Sequence, residues 1–190
     1  MRMRSSTLAC LFLLTGLLQG CFPNAFNGEA AGMLVAQDRR AEDARKDDRE
    51  IEAKAVDLIY KNTKTFIHVN VTSFNRKVLI SGEVPNEPAK NEVEKAILSV
   101  QKVTEVHNEL VVGGNSSLLS RSGDSGITSS LKLKFVADGR FDSNLIKVFV
   151  ENGTAFLMGI VYREEADAAA ETASNVKGVQ KVVKLFEYLN

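Results

Sequence analysis

The stretch Ala155-Phe156-Leu157-Met158-Gly159-Ile160-Val161 decides the fold, because the chain carries a second version of it 77 positions earlier. That version is Val78-Leu79-Ile80-Ser81-Gly82-Glu83-Val84, with the glycine in the same place. Each is a short, nearly continuous apolar run, which reads as a buried strand. Without gaps, the register pairs Val71 with Val148, Asn75 with Asn152, Glu87 with Glu164, Ala89 with Ala166 and Ala96 with Ala173. Two units, each large enough to bury its own core, read as sister domains rather than a solenoid.

The elements around the repeated strand follow from pattern. In the first copy a charged helical segment runs from Asp38 to Lys61, with Ile51, Ala55, Leu58 and Ile59 as its apolar stripe. Its first half, through Asp47-Asp48, has almost no apolar face and reads as solvated or as a protein-docking arm. Strands are expected at His68–Val71 and Val78–Val84, joined by a turn at Ser73-Phe74-Asn75-Arg76. A helix from Pro88 to Val100 follows, with proline in its first turn, and then a strand from Val103 to Val112. Gly113 to Gly126 is rich in Gly, Ser and Asn, the composition of a linker. The second copy repeats the order: helix Ile127–Ala137, strand Leu145–Val150, an Asn152-Gly153 turn, strand Ala155–Val161, helix Glu164–Val176 and strand Val179–Leu189. The fold class is therefore α+β. Each unit is α-β-β-α-β, with a three-stranded mixed sheet packed on two helices.

Composition sets limits on function. Apolar residues make up 44% and charged residues 25% of the chain, ordinary values for a globular protein. Setting aside Arg2 and Arg4 leaves 22 basic against 24 acidic side chains, too weak a field for generic nucleic-acid binding. Residues 1–20 have the parts of a secretory signal: the two arginines, then an apolar Leu8–Leu18 core too short to span a membrane comfortably. Leu18-Gln19-Gly20-Cys21 resembles a bacterial lipobox, which makes Cys21 the acylated residue (palmitate included) after cleavage. With Cys10 in the leader and Cys21 acylated, no thiol pair remains for a disulfide or a metal. Phe22 follows the cysteine where an Asp would mark inner-membrane retention. By that resemblance the body is periplasmic and hangs from the outer membrane.

A hairpin with a central glycine, an Ala-rich helix with acids in its first turn, and Gly178-Val179-Gln180-Lys181-Val182 before the last strand resemble a BON domain. The first copy has Gln101 where the second has Gly178. Together with the leader, lipobox and tether, the two copies resemble the dual-BON outer-membrane lipoproteins of the DolP type. The expected boundaries are 1–20 signal, 21–47 lipidated tether and charged helix, 48–112 first BON domain, 113–126 linker and 127–190 second BON domain. The resemblance implies a non-enzymatic lipoprotein without cofactor that binds anionic phospholipid, such as phosphatidylglycerol or cardiolipin, through its second BON domain. It also implies a part in outer-membrane integrity. The alternative is an adaptor for envelope assembly machinery such as the β-barrel assembly complex.

The first helix of the second copy carries the candidate site. Ile127, Leu131 and Phe135 share one side and should face the sheet. Leu133 and Val136 fall off this stripe, beside Ser129 and Lys132. These four, Ser129, Lys132, Leu133 and Val136, suit insertion among lipid headgroups, with the lysine pairing with phosphate. The competing reading packs Leu133 and Val136 against the first domain or the linker. Family members of the DolP type carry a tryptophan where this chain has Gly126, so an interfacial anchor is missing here. The following helix, with Glu164, Glu165, Asp167 and Glu171, should avoid an anionic surface. No catalytic or metal set emerges. His68 and His107 lie in different strands, and neither has a ligand partner at sequence spacing.

Overall fold

A computed structural model describes residues 38–62, 68–114 and 118–190. The leader, Cys21 and the tether through Gln37 lie outside the described residues, as do 63–67 and 115–117. The first unit comprises α1 (Glu42–Asn62), β1 (His68–Phe74), β2 (Lys77–Val84), α2 (Glu87–Leu98) and β3 (Glu105–Val112). The second comprises α3 (Leu118–Asp138), β4 (Ile146–Glu151), β5 (Thr154–Val161), α4 (Arg163–Ser174) and β6 (Lys181–Tyr188), with a short 3-10 turn at Ser143–Leu145.

Each unit has a three-stranded sheet with the repeated strand in the middle, in the orders β1-β2-β3 and β4-β5-β6. The central strand pairs antiparallel with the strand before it and parallel with the strand after the helix. Alternation then divides each central strand between two faces. Val78, Ile80 and Val84 join Ile51, Ala55, Ile59, Val93 and Ile97 of the helices in one core. Ala155, Leu157 and Val161 join Leu131, Phe135, Ala166 and Ala169 in the other.

The opposite faces of the two sheets meet. Leu79 and Phe74 of the first unit pack with Phe156 and Met158 of the second in a third cluster, bordered by Phe149, Ile160, Val183 and Leu185. The layers therefore run helices, sheet, sheet, helices. Both faces of β2 and β5 are covered, which is why β5 is a continuous apolar run and β2 is one through Val78-Leu79-Ile80, with Ser81 and Glu83 buried beyond it. Polar bonds rim the interface. Lys147 Nζ donates to Glu52 Oε1 at 2.8 Å and to the Ser73 carbonyl at 3.0 Å. Asn75 donates to the Glu187 carboxylate, and Asn152 to Glu83.

The repeated glycines have a common cause. A Cβ on Gly82 would lie 2.0 Å from the carbonyl oxygen of His68, and one on Gly159 would lie 2.7 Å from that of Leu145. His68 and Leu145 are themselves 77 positions apart, so both glycines admit the equivalent carbonyl where the neighbouring edge strand begins. Gly82 also takes a positive φ of 119°.

Two sequence expectations need correction. The first half of α1 is not solvated: Ala44, Asp47 and Asp48 are buried. Asp48 accepts the backbone N–H groups of Asn75 and Arg76 and the Ser73 hydroxyl. Both turn residues have positive φ, as a type I′ hairpin demands, and the aspartate anchors that turn to the helix. Asp47 binds Arg76 and Lys102. Charge here marks a helix packed on a polar turn, which needs acceptors and not an apolar stripe. Second, α3 begins at Leu118 rather than Ile127, so the stretch read as a linker to Gly126 is partly helical. The added turns bring Asp124 over the second hairpin, where it accepts from the N–H groups of Asn152 and Gly153. The two turns are held alike.

Candidate functional site

Helix α3 presents two unlike faces. Leu131 and Phe135 are buried, Ile127 packs against the same core, and the Phe135 ring meets Phe141 edge-on at 5.0 Å. These contacts fix the rotation of the helix on its sheet. Ser129, Lys132, Leu133 and Val136, spaced i, i+3, i+4 and i+7, then form one outward stripe. All four are exposed, and Leu133 and Val136 each keep 73% of their surface accessible. The reading in which these two pack against the first domain or the linker is therefore not the arrangement found.

Details around the stripe were not legible beforehand. The hydroxyls of Thr128, Ser129 and Ser130 each donate to a carbonyl four residues back, so Ser129 satisfies its own helix. Lys134 donates to the Asn175 carbonyl at 2.9 Å, capping the end of α4 instead of reaching outward. Lys132 stands between two open grooves. One, of about 470 Å³, is bounded by Ser125, Thr128, Phe149 and Glu151; the other, of about 440 Å³, by Val136, Ser143, Asn144 and Lys147. Both grooves run between α3 and the edge strand β4.

Neighbouring acids are engaged. Arg39 forks onto Glu165 at 2.6 and 2.9 Å, and that hydrogen-bonded guanidinium holds the Glu165 carboxyl below its usual range. The Asp138 carboxyl is held well below the usual carboxylate range, chiefly by Arg140 and then by the Thr172 hydroxyl. Arg140 also binds Glu171 at 2.6 Å, and Lys184 binds Asp167 at 3.2 Å. On α4, Glu164 remains exposed.

By spacing along the chain, His68 has no ligand partner. In the structure Glu83 is its cross-strand neighbour and Glu151 arrives from the second sheet, so the three come together through register and domain packing rather than sequence spacing.

The model of the BON domain matches residues 47–114 and 123–190. The chain belongs to the BON family. Its two BON domains are the two units described above. The chain is 39% identical over 185 residues to outer membrane lipoprotein DolP of Haemophilus influenzae, covering 96% of each chain. It is 34% identical over 154 residues to a 21 kDa hemolysin of Actinobacillus pleuropneumoniae, covering 80% of this chain and 79% of that one. It is 29% identical over 187 residues to osmotically-inducible protein Y of Escherichia coli, covering 94% and 92%. This tandem-BON chain is of the DolP type, a lipid-anchored lipoprotein of the outer membrane.

Proposed function

We propose that the second BON domain binds anionic phospholipid through the α3 stripe, and that the protein is a non-enzymatic module supporting outer-membrane integrity. The observation that carries this reading is the exposure of Leu133 and Val136 beside Lys132, on the outermost surface of a helix whose other face is fully packed. Burying each apolar side chain among acyl chains contributes about 1.5–3 kcal/mol at most. A lysine near an anionic surface adds about 1 kcal/mol. Such a site binds weakly by itself. A chain already tethered by lipid at Cys21 meets the membrane at high effective concentration, where weak is sufficient.

The test is titration of the 38–190 fragment with phosphatidylglycerol, cardiolipin and phosphatidylcholine vesicles. Binding to the two anionic lipids and not to the neutral one is expected. Lys132→Glu with Leu133→Asp should abolish it with stability changed by less than about 0.5 kcal/mol, since both residues are exposed. Unchanged binding in that double variant would sink the proposal.

A second reading, an adaptor for envelope assembly proteins, draws on the first BON domain. Val56 and Tyr60, one turn apart on α1, are both exposed, Tyr60 at 58%. A photocrosslinker at Tyr60 in intact cells should capture a protein partner if this reading holds. Recovery of lipid alone would count against it.

A further inference from the structure

At one end of the interface between the two sheets, three metal-ligating side chains from both BON domains converge. His68 opens β1 and is registered opposite Glu83 near the end of β2, so the two share the face turned to the second domain. Glu151 closes β4 and reaches the same point from the other sheet. One donor atom from each lies within 4.8 Å of the other two, and His68 Nε2 is 3.6 Å from Glu151 Oε1. Both carboxylates are buried, at 4% and 7% exposure. Burial pushes the Glu151 carboxyl up, and the nearby Glu83 and Asp124 charges push the same way against the opposing pull of His68. Asn152 donates to Glu83 at 2.6 Å, and Asn70 donates to Glu151 at 2.7 Å. The two amides hold the carboxylates in place from opposite domains.

We propose that His68, Glu83 and Glu151 bind a divalent first-row transition ion of the Zn²⁺ type, which fastens the two BON domains together. One imidazole nitrogen and two carboxylate oxygens form the donor set such ions take with three protein ligands, water completing the shell. Ligands at about 2.0–2.2 Å from one tetrahedral ion are separated by roughly 3.3–3.6 Å, close to the separation between His68 and Glu151. The groove of about 470 Å³ that reaches His68, Asn70 and Glu151 supplies solvent access for the ion and its water. A dication also neutralises two buried carboxylates at once. Calcium and magnesium fit poorly, because both prefer a shell of six or more oxygens. No reaction is implied. The ion's role is to tie β1 and β2 to β4 across the interface.

The experiment is calorimetric titration of the full chain in detergent with ZnCl₂, and separately with MgCl₂ and CaCl₂, with melting followed in parallel. One Zn²⁺ per chain and a raised Tm are expected, with Mg²⁺ and Ca²⁺ giving neither. His68→Asn and Glu151→Gln should each weaken Zn²⁺ binding about tenfold or more. His107→Asn, which alters a half-buried histidine 3.3 Å from Glu105 on the edge strand β3, should not. Co²⁺ added to the unsubstituted chain should give the visible absorption of a nitrogen–oxygen site and shift the His68 imidazole resonances, a reading that needs no variant to fold. No saturable binding, binding that follows His107, or an unmoved His68 resonance would each overturn the proposal.

Discussion

At the scale of single residues, the most demanding positions are those where backbone meets backbone. Gly82 faces the His68 carbonyl with no room for a methyl group and with φ at 119°, so Gly82→Ala combines a clash with backbone strain. We expect it to cost about 3 kcal/mol or more, measured by urea denaturation. Gly159→Ala meets a carbonyl at 2.7 Å with no positive φ to aggravate it, and should cost about 1–2 kcal/mol. In sequence these glycines stand out by their recurrence alone. Which atom approaches them is not visible there. The same limit applies to Asp48 and Asp124. In sequence they are two acids among many, and only the path of the chain carries them over a hairpin to accept its N–H groups. The glycine absent at Gln101 shows the reverse: Lys102, one place on, takes the left-handed conformation at φ 74° that Gly178 takes at 99°.

At the scale of elements, periodicity read the packed faces well. Leu131 and Phe135 are buried as the 100° spacing requires, because a helix on a sheet has one face to bury. The start of α3 escaped detection, since Gly123 and Gly126 disfavour helix locally and tertiary packing outweighs them. The other end of α3 is fastened to α4 by Asp138, and this gives a pH signature. Its folded pKa is depressed by Arg140 and Thr172, so the stabilisation is present above the unfolded value of about 3.9 and fades as pH falls below it toward the folded value. Asp138→Asn should lower Tm at pH 7, and the deficit should shrink by pH 3. A thermal melt at both values is the check. An equal deficit at both would mean that the carboxylate charge contributes nothing.

At the scale of the molecule, the decisive fact is how the duplicated units meet, and neither copy's pattern announced it. A strand apolar on both faces is consistent with a buried core strand, but it does not say what covers the second face. Here the cover is the sister sheet. Met158→Asp would place a charge in the cluster of Phe74, Leu79 and Phe156. We expect it to separate unfolding into two transitions by calorimetry, while each helix-packed core persists. A single cooperative transition shifted by less than about 1 kcal/mol would show that the interface is not needed for coupling. Arg39 adds a further link. It binds Glu165 and the Ile160 carbonyl in the second domain and stacks on Tyr162 at 5.0 Å, while the adjacent Arg40 stacks on Phe74 of the first. The segment that follows the tether thus grips both halves.

The back-to-back sheets constrain how duplication can be used. The helices of one copy look one way and those of the other look the opposite way. A flat bilayer can meet only one of these outer surfaces at a time. Whichever copy lies against the lipid turns its sibling toward the periplasmic space, so selection for membrane contact bears on one helical surface and leaves the other open to a different use. The divergence between α1, with its mixed Lys54, Asp57 and Lys61 face, and α3, with Leu133 and Val136 in the open, is what a two-sided body of this kind allows.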